Sequence, residues 1–232
     1  LILFNIMYGV IQLFMAIILY SYGLKAGDYM YLIQDLFYTL VLGLCISYAR
    51  PLPTLSTTLP PSRFLSPYFL TKLVSMLLLF PLFQISAILA LQSQHFYDAY
   101  HTDDPLSSSY ADEASVANNM ALSQLMLASM VAPLPPPLGT WWYTNRYQII
   151  ALVGQMGWLL LQMNNQGDYN FKQILKIKPL PPTFSSILLA LMVLQTVVIL
   201  MVGWGVDLLL LERANRRWYE KIDLSYLDQV ID

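Results

Sequence analysis

Residues 1–50 read LILFNIMYGVIQLFMAIILYSYGLKAGDYMYLIQDLFYTLVLGLCISYAR and set the class of the structure. Two apolar runs, 1–23 and 29–49, are separated by a short polar turn that contains Gly27 and Asp28. An α-helix needs about 20 apolar residues to cross the roughly 30 Å hydrocarbon core of a bilayer, and each run has that length. The pattern therefore predicts two consecutive transmembrane helices joined by a tight turn.

The rest of the chain keeps this apolar character. Of the 232 residues, 57% are hydrophobic and 11% are charged, whereas about 25% are charged in a typical soluble domain. The mean hydropathy is +0.54, so we expect a lipid bilayer to be the main surrounding of the protein. With a net charge of −2, no basic nucleic-acid-binding surface can be read from the composition, so we expect no nucleic-acid partner.

Four more apolar stretches follow, at 69–91, 116–134, 147–163 and 184–211. The sequence thus predicts an all-α transmembrane helical bundle of about six spans over residues 1–211, followed by a cytoplasmic C-terminal tail, 212–232. Two of the spans contain amide and hydroxyl side chains, namely Asn118, Asn119, Ser123, Gln124, Gln155 and Gln162. Such groups are tolerated in a membrane where neighbouring helices supply hydrogen-bond partners, so we expect partners around them.

Positive charge is distributed unevenly between the two sides of the predicted membrane. Eight of the twelve Lys and Arg residues fall on one side, namely Arg50, Arg63, Lys72, Arg146, Arg213, Arg216, Arg217 and Lys221. The opposite side has an acidic connector with Asp98, Asp103, Asp104, Asp112 and Glu113. Because positively charged loops stay in the cytosol, the pattern predicts that both termini are cytoplasmic.

The sequence contains no motif for catalysis, for a metal or for a cofactor. It has no glycine-rich phosphate loop, no Cys/His pair at metal-ligand spacing and no Ser/His/Asp arrangement. His95 and His101 lie in the acidic connector, where a solvated loop is favoured over a weak metal site. We therefore predict no catalytic residue, no metal ligand and no cofactor in this chain.

Asp35 is the exception, because it lies well inside the second apolar run. A carboxylate at that depth costs about 2.5–3.5 kcal/mol on insertion scales. Residues at helical spacing share a face, which predicts a polar and aromatic stripe made of Tyr31, Gln34, Asp35 and Tyr38. A similar stripe on the first helix consists of Asn5, Tyr8 and Gln12. Two such stripes on consecutive helices suggest a shared cavity.

Two interpretations of Asp35 remain open. It can bind a cationic substrate, or it can accept hydrogen bonds from Gln12 or Tyr8 and simply join the two helices. Asp207 lies near the end of the last span, and a structural role at the membrane interface is expected for it.

Several segments of the first 66 residues resemble the fifth subfamily of P-type ATPases, and most of all its polyamine-transporting branch. The resemblance rests on Tyr8-Gly-Val-Ile-Gln12, Leu24-Lys-Ala-Gly-Asp28, Tyr31-Leu-Ile-Gln-Asp35-Leu, Ser47-Tyr-Ala-Arg50-Pro51 and Leu59-Pro-Pro-Ser-Arg-Phe-Leu-Ser66. Two later segments are similar to the family's eighth membrane helix and the loop after it, namely Leu122-Ser-Gln-Leu-Met and Trp142-Tyr-Thr-Asn145.

This resemblance implies that the six spans are the last six membrane helices of such a transporter. The family couples ATP hydrolysis to the export of polyamines from late endosomes or lysosomes into the cytosol. A late endosomal, lysosomal or vacuolar membrane is implied in the same way. The family's substrate-contacting positions match Tyr8, Gln12, Tyr31 and Asp35. A carboxylate and aromatic rings suit a polyamine through charge pairing and cation–π contacts.

The catalytic parts of the family are absent from these 232 residues. Neither the phosphorylation motif Asp-Lys-Thr-Gly-Thr nor the Thr-Gly-Glu loop occurs, so we expect ATP and magnesium to bind catalytic domains encoded upstream or on a separate chain. Three alternatives remain. They are a noncatalytic scaffold or accessory subunit derived from such an ATPase, the membrane part of the related helix-extracting branch, and an unrelated six-span carrier, for which the internal repeats are missing.

The charge asymmetry gives a test of topology. The sequence has no Asn-x-Ser/Thr acceptor, so an acceptor engineered near Ser108 reports on the acidic connector alone. We expect it to be glycosylated in a eukaryotic host, because this connector should face the lumen. An acceptor near Thr57 is the matched control and should stay unmodified. Modification of the Thr57 site alone, seen as a gel shift reversed by a glycosidase, would overturn the orientation.

Overall fold

The computed structural model describes residues 1–49, 66–98, 110–134, 139–164 and 175–231, with side chains as far as residue 209. Within these ranges the chain forms helices and no strand. The expectation of an all-α chain is therefore confirmed. We number the helices α1 (Ile2–Ser21), α2 (Asp28–Ser47), α3 (Pro67–Gln92), α4 (Asp112–Val131), α5 (Arg146–Met163) and α6 (Pro182–Ile231).

Local sequence explains where several of these helices begin and end. Gly23 has a φ of +69° just after α1, which glycine adopts without the steric cost of a Cβ atom. Gly27 is extended and precedes α2. Ser66 caps α3 by accepting a hydrogen bond from the backbone N–H of Phe69 at 3.2 Å, and Pro67 occupies the first turn. The turn between α1 and α2 thus uses two glycines.

Four helices are long and apolar enough to cross a membrane: Ile2–Ser21, Asp28–Ser47, Pro67–Gln92 and Pro182–Leu209. The chain is therefore a helical membrane protein. The other two predicted spans, 116–134 and 147–163, overlap α4 and α5, whose amide side chains make them less apolar. The count of six spans stays a prediction. Helical structure also continues through the predicted tail as far as Ile231.

Helix α4 lies at the centre of the bundle and packs against all five other helices. Every residue of α4 except Met130 is buried. Small side chains such as Ala114, Ala117, Ala121 and Ala128 allow neighbouring helices to approach closely. The polar residues of α4 are therefore enclosed by protein, which removes the cost of exposing them to lipid.

Ion pairs hold the bundle together at both ends of α4. At one end, Lys72 of α3 pairs with Asp207 of α6 at 2.6 Å, and the Tyr68 hydroxyl donates to the same carboxylate at 2.7 Å. Asp207 thus has the expected structural contact, with a partner on another helix. At the other end, Lys178 pairs with Asp112 at 2.7 Å.

Two residues predicted to lie in the acidic connector, Asp112 and Glu113, form the first turn of α4. Carboxylates are favoured at that position by the helix dipole. Glu113 accepts a hydrogen bond from the Tyr97 hydroxyl at 2.7 Å. Burial and this contact raise the pKa of Tyr97, so the phenol remains the donor.

The contact between α4 and α6 gives a stability test. A Cβ atom added to Gly203 would lie 2.9 Å from Cγ1 of Val131, whereas one added to Gly205 would meet nothing within 4 Å. Since a valine side chain is stiff at χ1, we expect Gly203→Ala to destabilise the chain by about 1–3 kcal/mol. Thermal unfolding of the purified chain in detergent measures the effect.

Gly205→Ala is the matched control on the same helix. It should be neutral or stabilise by up to about 1 kcal/mol, because alanine favours helix over glycine. Equal shifts in melting temperature for the two variants would contradict the close packing of α4 and α6.

Candidate functional site

The polar stripes of α1 and α2 meet at Asp35. The Tyr8 hydroxyl donates a hydrogen bond to Oδ1 of Asp35 at 2.6 Å, and the Gln12 amide donates to the same oxygen at 2.9 Å. Three of the four predicted site residues are thereby brought together. Tyr31, the fourth, precedes Asp35 by one helical turn and is half-buried, and no hydrogen bond among the described residues joins it to the other three.

The predicted stripe on α2 is divided between two directions. Asp35 is exposed and Tyr31 is half-buried, whereas Gln34 and Tyr38 are fully buried and point into the bundle. The Tyr38 hydroxyl donates to the backbone carbonyl of Gln155 on α5 at 2.8 Å. Adjacent residues of a helix project in different directions around its axis, and here Gln34 is buried while Asp35 is exposed. The interpretation of one broad face was wrong in this respect.

Asp35 also lies in an unusual stretch of backbone. Residues Ile33–Leu40 form a π-helical segment inside α2. Such segments are uncommon in proteins, but those that exist are often found at functional sites, where the wider turn redirects side chains. In this helix the segment contains both Asp35 and the inward-pointing pair Gln34 and Tyr38.

The carboxylate of Asp35 is exposed at the outer surface of the bundle. The expected cavity between α1 and α2 is therefore not enclosed by the described residues. Tyr8 and Gln12 are half-buried beside it. Among the described side chains, no Lys, Arg or His pairs with Asp35, so its charge is balanced only by two neutral donors.

A second polar network runs inward from the same place. The Gln12 amide also lies 3.3 Å from Oε1 of Gln34, and the Gln34 amide donates to Oδ1 of Asn118 at 3.0 Å. Asn118 in turn donates to Oε1 of Gln162 on α5 at 3.3 Å. Hydrogen bonds thus connect Asp35 to the centre of the bundle through α1, α2, α4 and α5.

Two further amides, one on α4 and one on α5, have partners on neighbouring helices. Gln124 accepts from Gln84 at 2.7 Å and donates to the Phe80 carbonyl at 2.8 Å. Gln155 donates to the Phe37 carbonyl at 2.7 Å. Neighbouring helices thus supply partners for Gln124 and Gln155, whereas Oδ1 of Asn119 and Oε1 of Gln155 accept no hydrogen bond from the described residues. Sequence reasoning identified the amides on α4 and α5 but missed Gln84 as a partner.

The described residues contain no group of three or more His, Cys, Asp or Glu side chains that could hold a metal ion. The conceivable metal site near His95 and His101 cannot be placed, because His101 lies outside the described residues. Asp35 is thus the functional candidate with the clearest geometry.

Comparisons with known proteins point to one class of transporter. The vacuolar cation-transporting ATPase YPK9 of Saccharomyces cerevisiae is 24% identical over 191 residues, which are 82% of this chain and 13% of that protein. The probable cation-transporting ATPase 13A4 of Gallus gallus is 26% identical over 65% of this chain and 15% of its own length. This chain is similar to P-type cation-transporting ATPases.

A third P-type relative, the probable cation-transporting ATPase 13A5 of Homo sapiens, is 30% identical over 119 residues, or 51% of this chain and 10% of that protein. No protein-family model matches the chain. The chain spans 10–15% of the length of these P-type relatives, so the activity of a whole ATPase is a proposal for it.

The inward network gives a second stability test. Replacing Asn118 with alanine removes one hydrogen-bond partner of Gln34 and one of Gln162 while both stay buried. Each unsatisfied buried group costs about 1–3 kcal/mol, so Asn118→Ala should lower the melting temperature of the purified chain clearly. Asn5→Ala, at an exposed position of α1, is the control and should change it little. Similar melting temperatures for the two variants would argue against the network.

Proposed function

We propose that this chain is the C-terminal membrane portion of an ATP-driven P-type transporter that moves polyamines across an endolysosomal or vacuolar membrane. In this proposal α4 and α5 cross the membrane with the four apolar helices, and both termini are cytoplasmic. The vacuolar location in the name of the yeast relative supports the choice of membrane. No residue of this chain is assigned to ATP or magnesium, because the catalytic motifs do not occur in these 232 residues.

The single observation that carries the proposal is the charge of Asp35. This carboxylate lies in an apolar span and has no cationic partner among the described side chains. Its neighbours Tyr8 and Gln12 orient it without neutralising it. A charged group in a membrane segment is costly, and such groups are paired with another charge or mark a substrate path. A cationic substrate would supply the missing charge.

The surroundings of Asp35 favour an organic cation over a metal ion. Hard metal cations prefer several oxygen ligands, and Asp35 belongs to no group of three or more His, Cys, Asp or Glu side chains among the described residues. Tyr8 and Tyr31 offer aromatic rings next to the carboxylate, and such rings attract ammonium groups through cation–π contacts. A polyamine combines ammonium groups with short apolar spacers, which matches this mixture of charge and aromatic surface.

The exposure of Asp35 indicates that this chain supplies only part of the residues that surround the site. An ionised carboxylate facing lipid costs about 2.5–3.5 kcal/mol, and cover by further protein removes that cost. We assign this cover to membrane helices of the same transporter outside the 232 residues. The substrate path then runs between those helices and the face formed by α1 and α2.

The proposal is tested by removing the charge of Asp35 and keeping its size. In the complete transporter we expect Asp35→Asn to raise the spermine concentration that half-saturates ATP hydrolysis about thirtyfold, which corresponds to about 2 kcal/mol. The physical reason is the loss of a charge-assisted contact with an ammonium group. The measurement is spermine-stimulated ATP hydrolysis at matched expression.

The control is Asp28→Asn, because Asp28 is an exposed carboxylate at the start of the same helix. It should leave the half-saturating concentration unchanged. If a well-folded Asp35→Asn protein also keeps the wild-type value, Asp35 only joins α1 to α2, and the interpretation as a noncatalytic scaffold gains support.

A further inference from the structure

A pocket opens at the C-terminal end of α4, away from Asp35. It lies between this end of α4, the aromatic segment before α5 and one side of α6, and its volume is about 400 Å³. Most of its wall is apolar and includes Val131, Leu134, Leu200 and Met201. The wall can therefore hold hydrocarbon.

Aromatic rings form the rim of this pocket. The rings of Trp141 and Tyr143 are stacked, with centroids 6.0 Å apart and an angle of 11° between their planes. Trp204 of α6 contributes a ring that is 55% exposed. The face of an aromatic ring attracts cations, and tryptophan does so most strongly. Tryptophan and tyrosine are also the residues enriched at the level of lipid headgroups.

Asp207 is the one charged side chain among the described residues of the pocket wall. Its contacts with Lys72 and Tyr68 both use Oδ1, so none of the described side chains occupies Oδ2. Lys72 has no exposed surface and lies behind Asp207. A molecule in the pocket therefore meets the carboxylate and the aromatic rings, and it does not reach the lysine.

The position of the pocket along α6 defines its depth in the membrane. The apolar span of α6 is Pro182–Leu209, and Asp207 lies close to the end of that span. Trp204 is one helical turn before it. The polar end of the pocket is thus at the level of the headgroups, and its apolar wall extends toward the hydrocarbon.

We propose that this pocket binds one phospholipid through the ammonium group of its headgroup, as found in phosphatidylcholine and phosphatidylethanolamine. The ammonium lies against the ring of Trp204 and Oδ2 of Asp207, and an acyl chain follows the apolar wall beside Met201. A free polyamine fits less well, because its other ammonium groups would face apolar side chains. Lys72 behind Asp207 also weakens the attraction for a multiply charged ligand.

Native mass spectrometry of the full chain, purified in detergent and titrated with lipids of identical acyl chains, tests this proposal. We expect one phosphatidylcholine or phosphatidylethanolamine molecule to bind at least about tenfold more tightly than phosphatidylglycerol, which has no ammonium group. Trp204→Leu should weaken that binding by about tenfold, or about 1.4 kcal/mol. Since the Trp204 ring is largely exposed, its replacement should leave the fold intact.

Trp158→Leu is the control, because Trp158 lies on α5 outside this pocket and its loss should leave lipid binding unchanged. Equal binding of phosphatidylglycerol, or unchanged binding by Trp204→Leu, overturns the proposal. Release of the bound lipid by equimolar spermine also overturns it and assigns the pocket to a soluble polyamine. None of the residues of the Asp35 site lines this pocket, so the outcome of the lipid experiment is separate from the test of the transport function.

Discussion

Helix α4 can be at the centre of a membrane bundle because neighbouring helices supply hydrogen-bond partners for the amides of Asn118 and Gln124. In the hydrocarbon core there is no water to satisfy such groups. Asn118 bonds to Gln34 and Gln162, and Gln124 bonds to Gln84. These contacts specify which faces of α2, α3 and α5 turn toward α4. The arrangement of the bundle, including the placement of Asp35, follows from them.

Once Gln34 points inward to Asn118, the next residue, Asp35, must point along the outer side of α2 beside α1. Tyr8 and Gln12 then fix the carboxylate from the neighbouring helix. The π-helical stretch Ile33–Leu40 accommodates both directions within a few residues. The same short stretch of α2 thus contributes Gln34 to the buried network and Asp35 to the exposed face. The stability of the bundle is therefore linked to the candidate substrate site.

Much of this could be predicted from the sequence because apolar length and helical spacing are local properties. The helices, the meeting of Tyr8, Gln12 and Asp35, and the need of Asn118 for partners all follow from spacing and composition. The division between Gln34 and Asp35 could not be predicted, because it depends on which neighbour each amide finds across the bundle. The exposure of Asp35 was missed for the same reason, since a single stretch of sequence does not show which helices remain uncovered.

The central claim is that a polyamine binds at the face formed by α1 and α2. A spermine analogue with a photoreactive group, bound to the complete transporter and irradiated, tests it most directly when the labelled peptides are identified by mass spectrometry. The account predicts adducts on α1 and α2 within a helical turn of Tyr8, Gln12 and Asp35, and their loss when excess spermine competes. Labelling that is competed by spermine elsewhere in the transporter, and is absent from these two helices, would contradict it.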